Sequence, residues 1–426
     1  MRVKMKPLYV AVMLAIASAP GISHADAFVQ CPGDHNGDAI IDPALGEGDP
    51  AHPNAKCMHL TGGDGFVTMA DGHLQYSFGF GQWTGKPDTE VMRGGILNAT
   101  LPGPRIELKE DDEFYLTLSN VGLVKRPDLF DPHTVHYHGA KNISSYFDGV
   151  PENTVSTNQG GSLTYYYNIK EPGTYMYHCH VEATEHMQMG MQGNFYVHPK
   201  QDGNPFSFVN ANGDAKTFTK FVYNDGDGTT GFDVEFPLQL TSFDPVFHDD
   251  HIAVQPLPFA TMFDSYTMIN GRGYPDTALD PAANPPEIMP VPVDADGVIA
   301  NGNIFANGNQ GVKSQPVSSL VTATKGDRIL LRLTNLSVYG TYTVTAPGLN
   351  MKVVGKGSAQ LRGPAGNLYL DTNTVTLGGG EGKDIMIDTS DPGIKTGTYF
   401  LYTTNLKYLS NNTEDFGGMM TEIVIN

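Results

Sequence analysis

Residues 173–191 read GTYMYHCHVEATEHMQMGM. The Gly-Thr-Tyr opening is that of a strand, and the strand runs into a loop bearing His178, Cys179, His180, His186 and Met191. In extended chain, side chains two apart share a side. His178 and His180 therefore face one way and Cys179 the other. One thiolate, several imidazoles and a thioether in so short a span are donors for a soft transition metal, not for magnesium or calcium.

An earlier stretch, HTVHYHG (133–139), supplies the remaining donors. Two imidazoles and a thiolate in a plane, with a long axial thioether, make a type 1 (blue) copper site. His133, Cys179, His186 and Met191 fill those roles, Met191 being preferred to Met189 for its spacing from His186. Zinc would accept Cys and His but has no need of Met. Three donors from one loop and one from an earlier strand suit a β-sandwich with its site at one end. The pairs His136/His138 and His178/His180 can each present two imidazoles to one cavity. Cys179 then joins the blue site covalently to whatever His178 and His180 hold, which makes sense beside a second metal centre.

Working outward, alternation recurs in LQYSFGF (74–80), EFYLTLSN (113–120), SLTYYYNI (162–169) and ILLRLTN (329–335). With 49 Gly and 29 Pro and few helical spacings, the chain reads as all-β, two sandwiches of short strands joined by turns. The expected organisation is a leader over 1–27, an irregular extension over 28–72, a first sandwich over 73–199, a linker over 200–230 and a second sandwich over 231–426. The halves echo each other: LPGPRIELKEDDEFYLTLSN against SLVTATKGDRILLRLTN, and EPGTYMYHCHV against KTGTYFLYTTN. The second copy lacks the metal residues.

The leader carries Arg2, Lys4 and Lys6, an apolar run over 8–18 and small residues before a cut near Ala25 or Ala27. It reads as a secretory signal peptide, so a periplasmic or secreted protein is expected. No later run of about 20 apolar residues predicts a membrane span. In an oxidising compartment Cys31 and Cys57 are a natural disulfide pair, which leaves Cys179 free. Asp34, Asn36 and Asp38 alternate as in a calcium loop, but Leu45 stands where such a loop wants Glu, and turns are the commoner use of such residues. A formal net charge of −20 argues against nucleic acid and anionic membrane as partners. It permits a basic redox protein or a metal ion.

HYHG, FDGVP (147–151) and GTYMYHCH with a trailing His-x4-Met together resemble the multicopper oxidase family of cupredoxin proteins. The likeness extends through TMINGRGYPDT (267–277) and FGGMMTEIVIN. It implies two cupredoxin-like Greek-key sandwiches, with type 1 copper on His133, Cys179, His186 and Met191. It further implies type 2 copper on His136, a type 3 pair on His138, His178 and His180, and Asp148 delivering protons to oxygen. A turn-forming Asp-Gly accounts for Asp148 equally well.

The chain departs from that family pattern because no histidine follows His251, so the second sandwich cannot complete a three-copper cluster. His59, His73, His198, His248 and His251 read as surface histidines, or else some of them as donors at a subunit interface. Copper nitrite reductases are a related variant, but His136 stands where they carry Asp. The expected function is an exported copper-dependent oxidoreductase. Electrons would pass from type 1 copper through Cys179 to a second centre and on to oxygen or another small acceptor. The donor would be a small reductant, a metal ion or a basic redox protein, and the resemblance to two-domain relatives implies a homotrimer. The alternatives are a blue-copper electron carrier, a nitrite-reductase-like enzyme and a copper-sequestering protein.

Overall fold

The structure is a computed structural model that describes residues 29–253, 256–279, 298–299, 303–304 and 318–426. The leader expected over 1–27 lies outside the described residues.

The first unit is built from β1 (Ala55–Thr68), β2 (Leu74–Gln82), β3 (Gly103–Lys109), β4 (Glu113–Gly122), β5 (His136–His138), β6 (Ser162–Asn168), β7 (Gly173–His178) and β8 (Gln192–His198). These form two four-stranded sheets in the orders β2-β1-β4-β6 and β3-β8-β7-β5. Each sheet contains one parallel pair, β1 with β4 and β3 with β8. Alternation does what the sequence predicts: along β3, Ile106 and Leu108 are buried while Arg105, Glu107 and Lys109 are exposed. Leu60, Phe78, Leu116, Tyr137, Tyr165 and Phe195 fill the space between the sheets.

The sandwich begins at Ala55, inside the stretch expected to be irregular. Gly62, Gly63 and Gly65 conceal the strand in the sequence because they break its alternation. The packing needs them small: a Cβ on Gly63 would lie 2.8 Å from Val121 and 2.9 Å from the Gly122 carbonyl. Ahead of β1 the chain is irregular, and the Cys31–Cys57 disulfide ties it to the strand. The Asp34 carboxylate accepts the N–H groups of Asn36, Gly37 and Ala39, Asn36 accepts Asp38 N–H, and Asp38 accepts Ile40 N–H. These oxygens serve as turn acceptors.

The segment expected as a linker over 200–230 folds into a hairpin of β9 (Phe206–Val209) and β10 (Ala215–Phe218). Beyond it come β11 (Val234–Phe243), β12 (Tyr266–Ile269), β13 (Val321–Ala323), β14 (Arg328–Asn335), β15 (Tyr342–Thr345), β16 (Met351–Lys356), β17 (Glu381–Asp388), β18 (Gly397–Thr403) and β19 (Met420–Ile425). One sheet runs β12-β11-β14-β17-β16 and the other β13-β19-β18-β15. β11 is parallel to β14 and β13 to β19. Strand for strand this repeats the first unit, so the echo in the sequence is a structural duplication. The protein is all-β, with two sandwiches of cupredoxin-like layout. Among the described residues no helix is long and apolar enough to cross a membrane.

The two units meet through a buried polar cluster. Thr174 of β7 donates to Asp384 of β17 (2.5 Å), and Tyr223 donates to the other Asp384 oxygen (2.5 Å). The Arg332 guanidinium of β14 donates to Thr174 Oγ1 (2.9 Å) and to the Glu235 carboxylate. Arg332 and Asp384 are both wholly buried.

Candidate metal centres

Asn120, the last polar residue of LTLSN, sets one wall of the first centre. Its side-chain amide donates to the carbonyls of Asp131 (2.8 Å) and Thr157 (2.9 Å). His133 exchanges both backbone hydrogen bonds with Thr157. The loop before β5 is thereby pinned, and His133 points inward with no exposure. Cys179 follows β7 directly and donates its N–H to Met191 O (3.1 Å). A short helix, α1 (Ala183–Gln188), turns His186 back toward the thiol, and Met191 N–H closes the loop on His186 O (2.9 Å).

Cys179 Sγ lies 3.2 Å from His186 Nδ1, and the donor atoms of His133, Cys179 and His186 lie within 4.8 Å of one another. Met191 completes the set. A Cβ built on Gly62 would stand 3.1 Å from the His133 ring and 3.5 Å from the Met191 methyl group. All four side chains are fully buried. Burial lowers the His133 pKa to about 4, drives His186 well below its usual range and pushes the Cys179 thiol up to about 11. Neither nitrogen of His133 makes a hydrogen bond, nor does Nε2 of His186. Buried polar atoms without partners are costly. A thiophilic cation would take one nitrogen from each of the two rings, Nδ1 from His186, and hold the sulfur as thiolate, so the donor set fits copper.

Sequence reasoning missed the surroundings of this centre. The Asp131 carboxylate stands 3.9 Å from His186 Nε2, and burial raises its pKa to about 6. A second helix, α2 (Pro245–His251), reaches over from the second half of the chain, capped by the Asp244 side chain. His251 Nε2 pairs with Glu185 Oε1 (2.6 Å). Phe78 sits edge-on to both His186 and His251. His248 stands between the carbonyls of Tyr76 (2.5 Å from Nδ1) and Gln188 (2.8 Å from Nε2), and its neutral ring donates to one of them. The surface reading of His59, His248 and His251 is corrected: all three are fully buried, and the last two brace α1. A His248–Asp249–Asp250–His251 run looks hydrophilic, and only the tertiary contact buries its histidine face.

The second cluster lies across the strand from the first. His136 pairs with His178 in the β5/β7 register, and their ring centroids are 5.2 Å apart. The ligand atoms of His136, His138 and His178 lie within 4.8 Å of one another. His180 flanks them, stacked on His178 at 5.7 Å and 5.1 Å from His136. Its N–H is held by Thr134 Oγ1 (3.1 Å). Burial lowers His178 to about 3 and also lowers His138. Asp148 sits behind His136, with its carbonyl on His136 Nδ1 (2.7 Å) and its carboxylate 3.5 Å from the same atom. The two clusters share one residue boundary: His178 Nδ1 bonds the Cys179 carbonyl at 2.8 Å.

The cluster opens into a cavity of about 410 Å³. Its near wall is histidine, and its far wall is Ser337, Val338, Tyr339, Gly379 and Gly380 of the second unit. Asn335, the counterpart of Asn120, ties that wall down: its amide donates to Gly340 O and Leu377 O, and its carbonyl accepts Gly380 N–H.

Comparison with known proteins gives a consistent picture. The multicopper oxidase family model matches residues 82–202. A laccase of Ustilaginoidea virens is 31% identical over 124 residues, 28% of this chain and 17% of that protein. A copper-containing nitrite reductase of Neisseria meningitidis is 27% identical over 162 residues, 38% of this chain and 34% of its own. The matched segments therefore span 17% and 34% of these two relatives. Among solved structures, a blue copper oxidase from Nitrosomonas europaea superposes with a TM-score of 0.59 at 19% identity, over 87% of this chain and 86% of that one. That likeness establishes the cupredoxin fold.

Proposed function

We propose, from the match of residues 82–202 to the multicopper oxidase family model, that this protein is a copper-dependent oxidoreductase that moves electrons from a blue-copper site to a second copper centre. His133, Cys179, His186 and Met191 would hold the first copper, and the histidines of the second cluster the other. Bound copper would supply one-electron redox chemistry at each site.

The observation that carries this reading is the position of Cys179. Its sulfur faces His186 at 3.2 Å, and its carbonyl bonds His178 of the second cluster at 2.8 Å. One residue thus links the clusters through its covalent backbone and through a hydrogen bond that closes a second, parallel route. The chain's own residues do the rest. Burial excludes water from the thiol and both imidazoles. Backbone carbonyls orient the cluster histidines, as second-sphere partners of metal-bound imidazole do. Asp148 holds a carboxylate 3.5 Å from His136 Nδ1, behind the ring, and would pass protons toward the cavity by way of that imidazole. Protein geometry of this kind tunes the metal, whose chemistry is its own.

The acceptor is dioxygen or another small molecule that enters the cavity. Copper-loaded protein should show intense blue absorption and consume oxygen, or nitrite assayed in parallel, when given a simple reductant. Cys179→Ser should abolish both colour and turnover, and Asp148→Asn should keep the colour and lower turnover. Colourless loaded protein, or undiminished turnover in Cys179→Ser, would sink the proposal.

A further inference from the structure

Three of the four cavity histidines have one ring nitrogen turned to backbone. His136 Nδ1 is on the Asp148 carbonyl at 2.7 Å, and His178 Nδ1 is on the Cys179 carbonyl at 2.8 Å. The Nε2 side of His138 lies against the Gly380 backbone, where a Cβ would stand 3.0 Å from Nε2. The Gly380 N–H is already given to Asn335 O, which leaves its carbonyl to accept. Three lone pairs remain, on His136 Nε2, His138 Nδ1 and His178 Nε2. The last two lie 3.4 Å apart. A carbonyl on one nitrogen and a metal on the other is how ligating histidines are held.

The supply of donors is equally limited. The chain has fourteen histidines. His133 and His186 serve the thiolate site. His59 bonds Ser119 Oγ, while His248 and His251 are buried around α1. His52 pairs with Glu113, His198 faces Asp202, His73 stacks on Tyr266, and His35 is exposed. His24 lies outside the described residues. Only the four in the cavity are left, and the wall opposite them carries no histidine. Three coppers each wanting three or so protein donors cannot be served by four imidazoles.

We infer that this cavity is a complete one-ion copper site built by a single chain, with His136 Nε2, His138 Nδ1 and His178 Nε2 as donors. The second unit contributes a positioning carbonyl, Gly380 O, and no ligand. The inference rests on the copper reading above but departs from the three-copper cluster that the family resemblance implies.

The test isolates the cavity from the blue site. Cys179→Ser, loaded with copper(II) and desalted, should retain one ion per chain. Its electron spin resonance should integrate to one spin per ion, with nitrogen hyperfine structure. Adding His178→Ala removes a ligand and should weaken that binding by more than the roughly hundredfold that the loss of an outer-sphere partner can cost. If Cys179→Ser does not fold, wild type serves instead: elemental analysis should give two coppers per chain and spin integration two spins. Two or more ions in Cys179→Ser, more than two in wild type, a spin count below the ion count, or no retained ion would overturn the inference. A colourless wild type beside one retained ion in Cys179→Ser would defeat the electron-transfer proposal and leave this one standing.

Discussion

At the scale of the residue, the motif histidines and Cys179 were legible because their chemistry is local: alternation along one strand decides which side each faces. Gly380 was not legible, because what it contributes is a carbonyl and an absence of side chain. It adopts φ +79°, and a Cβ there would stand 2.9 Å from His138 Cε1 and 3.0 Å from Nε2. A left-handed conformation with so close an approach needs glycine. Gly380→Ala should weaken copper retention in the second site tenfold or so, the usual cost of a lost outer-sphere partner. The blue absorption should be unchanged. Metal analysis alongside the visible spectrum checks both halves of that expectation.

Elements explain what the sequence could and could not reveal. The repeated strand ending in Ser-Asn or Thr-Asn was visible, and the structure gives its reason: Asn120 and Asn335 each pin the two loops beyond their strand. β1 was invisible because its glycines, required by packing, erase the alternation on which strand recognition rests. The burial of α2 was invisible for the opposite reason, since its polar composition hides a tertiary contact. His248 on this helix is held neutral, its pKa lowered to about 4 by burial. An unfolded chain takes up a proton near pH 6.5 that the fold refuses until about pH 4. Its contribution to stability is therefore full above pH 6.5 and fades as pH falls toward 4. His248→Gln cannot titrate. Wild type should exceed it in stability most at neutral pH, with the gap closing by about 1 kcal/mol per pH unit below 6.5. Denaturant melts across that range would show a constant gap if His248 were exposed.

Across the whole molecule, the two sandwiches are joined by charge as well as by shape. Burial pushes the Asp384 carboxyl up, against the pull of Arg332. Thr174 and Tyr223 both donate to it. Asp384→Ala would leave Glu235 as the one carboxylate on Arg332 and take away the acceptor of the Thr174 and Tyr223 hydroxyls. Breaking a buried pair in this way costs about 3–5 kcal/mol. A melting temperature unchanged from wild type would show that the cluster is not holding the units together. This contact was not legible in the sequence, since residues 174, 223, 332 and 384 are distant along the chain and meet only after both sheets have formed.

That junction also limits how such a chain can be recombined. Thr174 lies four residues before His178 on the same strand, so the seam between halves runs along the very strand that carries the copper donors. Exchanging the second half for a cousin's would require its replacements for Asp384, Arg332 and Gly380 to arrive together. The halves duplicate each other in plan, yet they are not interchangeable cassettes.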